Sequence, residues 1–154
     1  MAQSARWMRA HVAGERPAPS ASAGLAAAQR AAADPILLWM HGGGESAFAL
    51  IAPQRLAPGR ARRWAAWGAM PAVATCRQYG LPAYLQDTAI WLHGREVASV
   101  SAALVGECAV IEASFPRHLA AAPGLEAAFR ARLEAQHGWQ FDTAWPTGEE
   151  ELQW

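Results

Sequence analysis

The chain has 154 residues, a formal net charge of zero from 13 basic against 13 acidic side chains, and no lysine. A neutral chain has no electrostatic footprint for nucleic acid or an anionic membrane, and the missing lysine excludes chemistry that depends on a lysine amine. At this length the chain reads as a single domain, 1–154, which buries about two-thirds of its unfolded surface and needs neither disulfide nor metal to fold.

Cys76 and Cys108 form no C-x-x-C pair and have no histidine at ligand spacing, so no metal site is expected and both read as buried thiols. The first residues hold no continuous apolar run of the signal-peptide kind, and nothing approaches the ~18 apolar residues of a membrane span. The expectation is a cytoplasmic protein whose partners are small molecules or other proteins. The chain also carries eight tryptophans, more than one small core readily hides, so some are expected at a pocket or an interface.

In chain order, residues 1–15 read as a short strand or helix around Trp7 and Met8, and 17–22 as a proline-rich loop. Residues 23–33 are alanine-rich and favour a helix, broken by Asp34-Pro35. The continuous apolar run 36–40 predicts a strand buried on both faces, ended by His41-Gly42-Gly43-Gly44. A second strand follows at 47–51. Residues 58–79 read as a helix kinked or divided at Pro71, with Gly80 as its cap and Pro82 beyond. Strands are predicted at 89–93, 97–105 and 108–115; His93-Gly94 is a turn signal, and Gly106-Glu107 joins the last two as an antiparallel pair. Residues 125–137 form the best amphipathic helix, with Leu125, Phe129 and Leu133 on one face and Gly138 as its cap. The segment from Trp139, ending in acidic Glu149 to Glu151, reads as a loose tail or short helix. The fold class predicted is α+β: a central mixed, mostly antiparallel sheet with helices packed on one face.

Two motifs compete for the glycines. His41-Gly42-Gly43-Gly44 after an apolar strand resembles the oxyanion loop of esterases and lipases, where backbone N–H groups face a developing oxyanion. That fold also needs a G-x-S-x-G nucleophile elbow, and the chain has none. The second resemblance spans residues 35–116. Strand 36–40, the glycine turn, the strand to Pro53, the helix to Tyr79, Gly80-Leu81-Pro82, and Ile90-Trp91-Leu92-His93-Gly94-Arg95-Glu96-Val97-Ala98-Ser99 follow one another in a familiar order. In that order the chain resembles the biotin and lipoate protein ligases, with 1–22 and 139–154 peripheral.

The resemblance implies a ligand cradle at Gly42, Gly43, Gly44 and Ser46, and a second element at Gly94, Arg95 and Glu96. It also exposes departures. In the family a lysine follows Gly-Arg and touches the acyl carbonyl and the adenylate phosphate; here Glu96 stands in its place and reverses the charge. Thr88-Ala89 replaces the usual Asn-Asp pair, Trp39 and Met40 stand where an arginine usually precedes the glycine turn, and the histidine usual after the glycines is missing. No cofactor and no catalytic residue is therefore assigned. The expectation is a non-catalytic binding or accessory subunit for a small acyl or biotin-like ligand, working with a protein partner or as a homodimer. Trp64 and Trp67 are expected at that interface. An acyl transferase with an unrecognised nucleophile and a hydrolase-like fragment are the alternatives.

Overall fold

A computed structural model describes residues 3–11, 19–42 and 44–143. Eight strands form one sheet: β1 (Gln3–His11), β2 (Ile36–Gly42), β3 (Glu45–Pro53), β4 (Tyr84–Gln86), β5 (Ala89–Leu92), β6 (Arg95–Val105), β7 (Cys108–Ser114) and β8 (Trp139–Thr143). Their order across the sheet is β4-β5-β6-β7-β3-β2-β1-β8. The pairings are antiparallel except at β1, which runs parallel to both β2 and β8. Three α-helices complete the fold: α1 (Pro19–Ala28), α2 (Trp64–Gln78) and α3 (Leu125–His137).

The all-apolar runs of β2 and β3 are explained by cover on both sides. Leu37, Trp39, Phe48 and Leu50 point to one face, where α2 and α3 lie. Ile36, Leu38, Met40, Ala49 and Ile51 point to the other, against Leu25 and Ala26 of α1. The expected single helical layer is thus corrected to helices on both faces, with α1 alone on the second. Helix α1 also begins at Pro19 and ends at Ala28, earlier than the predicted 23–33, because proline is well placed at a helix start. The core beneath α2 and α3 is aromatic: Phe129 sits 4.5 Å from Phe48, 5.2 Å from Phe115 and 6.0 Å from Trp39, centroid to centroid.

Helix α2 runs unbroken through Pro71, so the predicted division does not occur. Pro71 is buried and denies its N–H to the carbonyl of Trp67, the residue one turn before it. Glycine is required at 68 for a different reason: a Cβ there would lie 2.6 Å from Ile111 Cγ2, so the helix approaches β7 more closely than any side chain allows. The tail expected to be loose or helical instead forms β8, whose Trp139 is buried beneath the helices; residues 144–154, including the acidic run, lie outside the described residues.

The six described tryptophans are taken up inside the fold. Trp39, Trp64 and Trp139 are buried, and Trp7, Trp67 and Trp91 are half-buried. Trp64 donates its indole N–H to the Pro58 carbonyl at 2.7 Å. Trp67 stacks on His137 and meets Trp139 edge-on. Trp67 therefore lies at the seam between α2 and α3, and Trp64, expected at an interface, is instead buried.

Candidate functional site

Two hairpins position the sequence-predicted residues. Gly42 pairs with Glu45 where β2 turns into β3. Gly44 has φ +74°, in the left-handed region that such a tight turn demands; Gly43 lies outside the described residues. The second hairpin joins β5 to β6. His93 (φ +52°) and Gly94 (φ +75°) both occupy the left-handed region, as a two-residue type I′ turn requires. Leu92 then pairs with Arg95 and Trp91 with Glu96, after which a bulge shifts the register so that Ile90 pairs with Ala98.

These residues do not converge on one point. Glu96 lines a groove of about 520 Å3 together with Met40 and Ala47, which belong to the sheet face that packs against α1. Its walls and floor include Met40, Glu45, Ala47, Val97, Ser99, Ser101, Glu112 and Ser114. Arg95 is exposed and does not line the groove; nor do Gly42, Gly44 and Gly94. Glu96 accepts a hydrogen bond from the Ser99 hydroxyl at 3.0 Å, and Glu45 accepts one from Arg117 at 3.1 Å. Three carboxylates line the groove among small hydroxyl and apolar side chains, and one of them, Glu45, is ion-paired with Arg117. An acyl carboxylate or a phosphate beside Glu96 meets charge of its own sign. Among the described residues no group of three or more histidine, cysteine, aspartate or glutamate side chains is placed to hold a metal ion.

Ser46 points to the opposite face. It is buried and lines a second cavity of about 550 Å3 beside the start of α3, with Arg9, Trp39, His41, Leu125 and Glu126. His41 Nδ1 lies 3.1 Å from Ser46 Oγ, a spacing that suits a nucleophile and its base. The hydroxyl has a competing acceptor. Ser46 Oγ is also 3.1 Å from the Ala120 carbonyl, and with its proton donated there His41 donates to Ser46 rather than accepting from it. The hydroxyl is held as a structural link between β3 and the segment before α3. Arg9, for its part, is tied to Glu126 at 2.9 Å. The two cysteines are no better as nucleophiles: burial pushes both thiols up to about 11, aided at Cys108 by the neighbouring Glu107.

The groove residues that sequence reasoning missed are Glu45, Glu112, Ser99 and Ser101. Glu112 had a legible signal, as the one charged side chain inside the apolar run 108–115. Glu45 had none, because an acid beside a glycine turn reads as solvated surface.

Compared by sequence, the chain matches no protein-family model and no curated protein. Compared by structure, it is similar to a bi-partite lipoate protein ligase from Thermoplasma acidophilum, described together with its E2 lipoyl domain. There the TM-score is 0.75 at 10% identity, over 98% of this chain and 90% of that one. It is similar to lipoate-protein ligase A bound with ATP, with a TM-score of 0.67 at 12% identity over 99% and 92% of the two chains. It is also similar to the biotin protein ligase of Aquifex aeolicus, with a TM-score of 0.61 at 8% identity over 88% and 69%. The fold is that of the biotin and lipoate protein ligases: an eight-stranded, mostly antiparallel mixed sheet with three helices packed on it. No helix among the described residues is long and apolar enough to cross a membrane.

Proposed function

We propose that the chain is a non-catalytic relative of the biotin and lipoate ligases, a binding or accessory subunit for a small acyl or biotin-like group carried as an uncharged amide. The observation that carries this reading is the groove's charge. Glu96 stands where the resemblance puts a lysine, the chain has no lysine, and Glu45 and Glu112 line the same groove, Glu45 in an ion pair with Arg117. Adenylation needs positive charge where the phosphate and acyl oxygens become negative. A groove of acceptors supports instead the binding of a ligand that donates N–H groups, as a lipoyl or biotinyl amide does. The bi-partite character of the Thermoplasma structure supports a division of labour between chains in this fold.

The test is thermal stabilisation of the purified chain by lipoamide, biotinamide, lipoate, octanoate, biotin and ATP. A ligand present at 100 times its Kd stabilises by ~2.7 kcal/mol, which raises the melting point by several degrees. The amides are expected to raise it, the free acids less, and ATP not at all. Pyrophosphate release with ATP and lipoate or biotin would show a working ligase and overturn the reading, as would a flat response to both amides at millimolar concentration.

A further inference from the structure

The neutrality of the chain is made of two unequal parts. Among the described residues 12 arginines stand against 9 aspartates and glutamates. Arg16 and Glu15 cancel, so the balancing charge comes from three consecutive residues, Glu149, Glu150 and Glu151. The excess on the body is concentrated at the start of α2. Arg60, Arg62 and Arg63 lie in and beside the short 3-10 turn Ala61–Arg63 that leads into the helix, and all three are exposed. Among the described residues no hydrogen bond or ion pair holds their guanidinium groups, whereas Arg9, Arg55, Arg77, Arg117, Arg130 and Arg132 each have a partner. The first turn of α2 adds to the imbalance, because it contains no acid and its N-cap makes no side-chain bond.

From these arginines the helix surface continues into an apolar stripe. Arg62, Ala66 and Met70 follow one another at four-residue spacing and share a face; all are exposed, Met70 to 40%. The helix rises about 10–12 Å between Arg62–Arg63 and Met70. The sequence after the acids has the same spacing. Glu151 is followed by Leu152-Gln153-Trp154, and an extended run from Glu151 to Trp154 spans about 10 Å. The reach is also sufficient. Trp139, the first residue of β8, meets Trp67 edge-on at 5.8 Å, and β8 carries the chain about 13 Å onward to Thr143. The stretch from Thr143 to Glu149 extends up to about 20 Å, which returns the chain past Trp139 to the first turn of α2.

We infer that the outer face of α2 is a docking surface for the chain's own residues 149–154, with Glu149, Glu150 and Glu151 against Arg60, Arg62 and Arg63, and Trp154 over Met70. Three carboxylates then meet three planar guanidinium groups at the positive end of a helix, where each charge pair is reinforced by the helix dipole. The thioether of Met70 gains an aromatic neighbour and loses its contact with water. The two contacts together fix the direction of the segment: its acids sit at the start of α2 and its last residues run toward the middle. This surface is separate from the groove that Glu96 lines, and the inference does not depend on what the groove binds.

The experiment is peroxide oxidation of Met70 in the full chain, read by peptide mass, with the buried Met8 and Met40 as internal references. A variant carrying Glu149→Gln, Glu150→Gln and Glu151→Gln together is expected to oxidise at Met70 on the order of fivefold faster than the wild type, the size expected when a few exposed ion pairs hold a segment in place. A variant carrying Arg60→Gln, Arg62→Gln and Arg63→Gln is expected to match that faster rate. Raising the salt concentration is expected to accelerate oxidation in the wild type and in neither variant. Should the arginine variant lose its fold, the wild type decides: a Met70 rate independent of salt then overturns the inference. Equal rates in all three proteins overturn it as well. So does acceleration confined to the glutamate variant, which would put the acids on another surface, or protection that grows with protein concentration, which would assign the bound segment to a second copy.

Discussion

The imidazole of His137 lies flat against the indole of Trp67, with ring centres 4.5 Å apart and planes 22° from parallel. It joins the last turn of α3 to the middle of α2, at the point where Pro71 leaves the Trp67 carbonyl without its helical donor. Burial lowers the His137 pKa below its ordinary 6.5, opposed by the Gln136 and Trp67 carbonyls, which favour the charged ring.

That shift has a sign. In the unfolded chain His137 takes a proton near pH 6.5, whereas the folded chain resists it to lower pH. The unfolded state therefore binds more protons in this window, and the stability contributed by neutral His137 is present above pH 6.5 and lost as the pH falls through the lowered native value. Chemical denaturation of the wild type at about pH 7.5 and about pH 5.5 is expected to show a larger drop in midpoint than a His137→Phe variant, which keeps a stacked ring and cannot titrate. Equal drops would assign the acid sensitivity to other groups.

Gly68→Ala should be among the most damaging single-methyl additions in the protein. The new Cβ would lie 2.6 Å from Ile111 Cγ2 and 2.8 Å from Ile111 Cβ, so trimming Ile111 to valine does not relieve it. The helix has to move off β7. Overpacking of this kind costs about 1–3 kcal/mol, more than the helix propensity gained by alanine. Thermal melting of the variant measures it, and a melting point equal to the wild type would show that the seam between α2 and β7 yields freely.

Cys76 and Cys108 are expected to be silent toward a thiol reagent in the folded state. Both are fully buried and their pKa values are raised to about 11. Labelling at neutral pH is expected to follow the rate of global opening and to accelerate with denaturant. Fast labelling of either thiol in native buffer would contradict its burial and return it to consideration as a nucleophile.

Glu96→Lys tests the groove's polarity without assuming any chemistry. The substitution exchanges a negative for a positive charge at an exposed position of β6, so the fold is expected to tolerate it within about 0.5 kcal/mol. Preference between lipoate and lipoamide, read by thermal stabilisation, is expected to move toward the acid. An unchanged preference would place the ligand away from Glu96.

Much of the sheet was legible because its signals are local. The left-handed turns at His93-Gly94 and Gly44, the Gly106-Glu107 connection and the span of α3 follow from residue chemistry within a few positions. Strand β8 was readable in principle: Trp139-Gln140-Phe141-Asp142-Thr143 alternates with period two, but the acidic residues beyond it suggested a solvated tail. The two-sided burial of β2 already implied a second layer, yet the alanine-rich α1 has too little periodicity to say which face it covers. The site was less legible because motif residues adjacent in sequence alternate between faces of a sheet. Ser46 and Glu45 are neighbours in the chain and look into different cavities. Where a chain reverses its local charge, as at Glu96, the resemblance marks the position while the chemistry must be read from what surrounds it.

The parallel pairing of β1 with β8 has a mechanical consequence. Gln3 stands opposite Trp139 and Trp7 opposite Thr143, so the first and last described strands lie side by side and point the same way. Traction applied ahead of Gln3 and beyond Thr143 pulls these strands past one another along their length. The ladder is loaded in shear, with its hydrogen bonds bearing force together, rather than peeled open one bond at a time. The seam where the two ends of the fold meet is then the part of the sheet best arranged to resist being drawn apart.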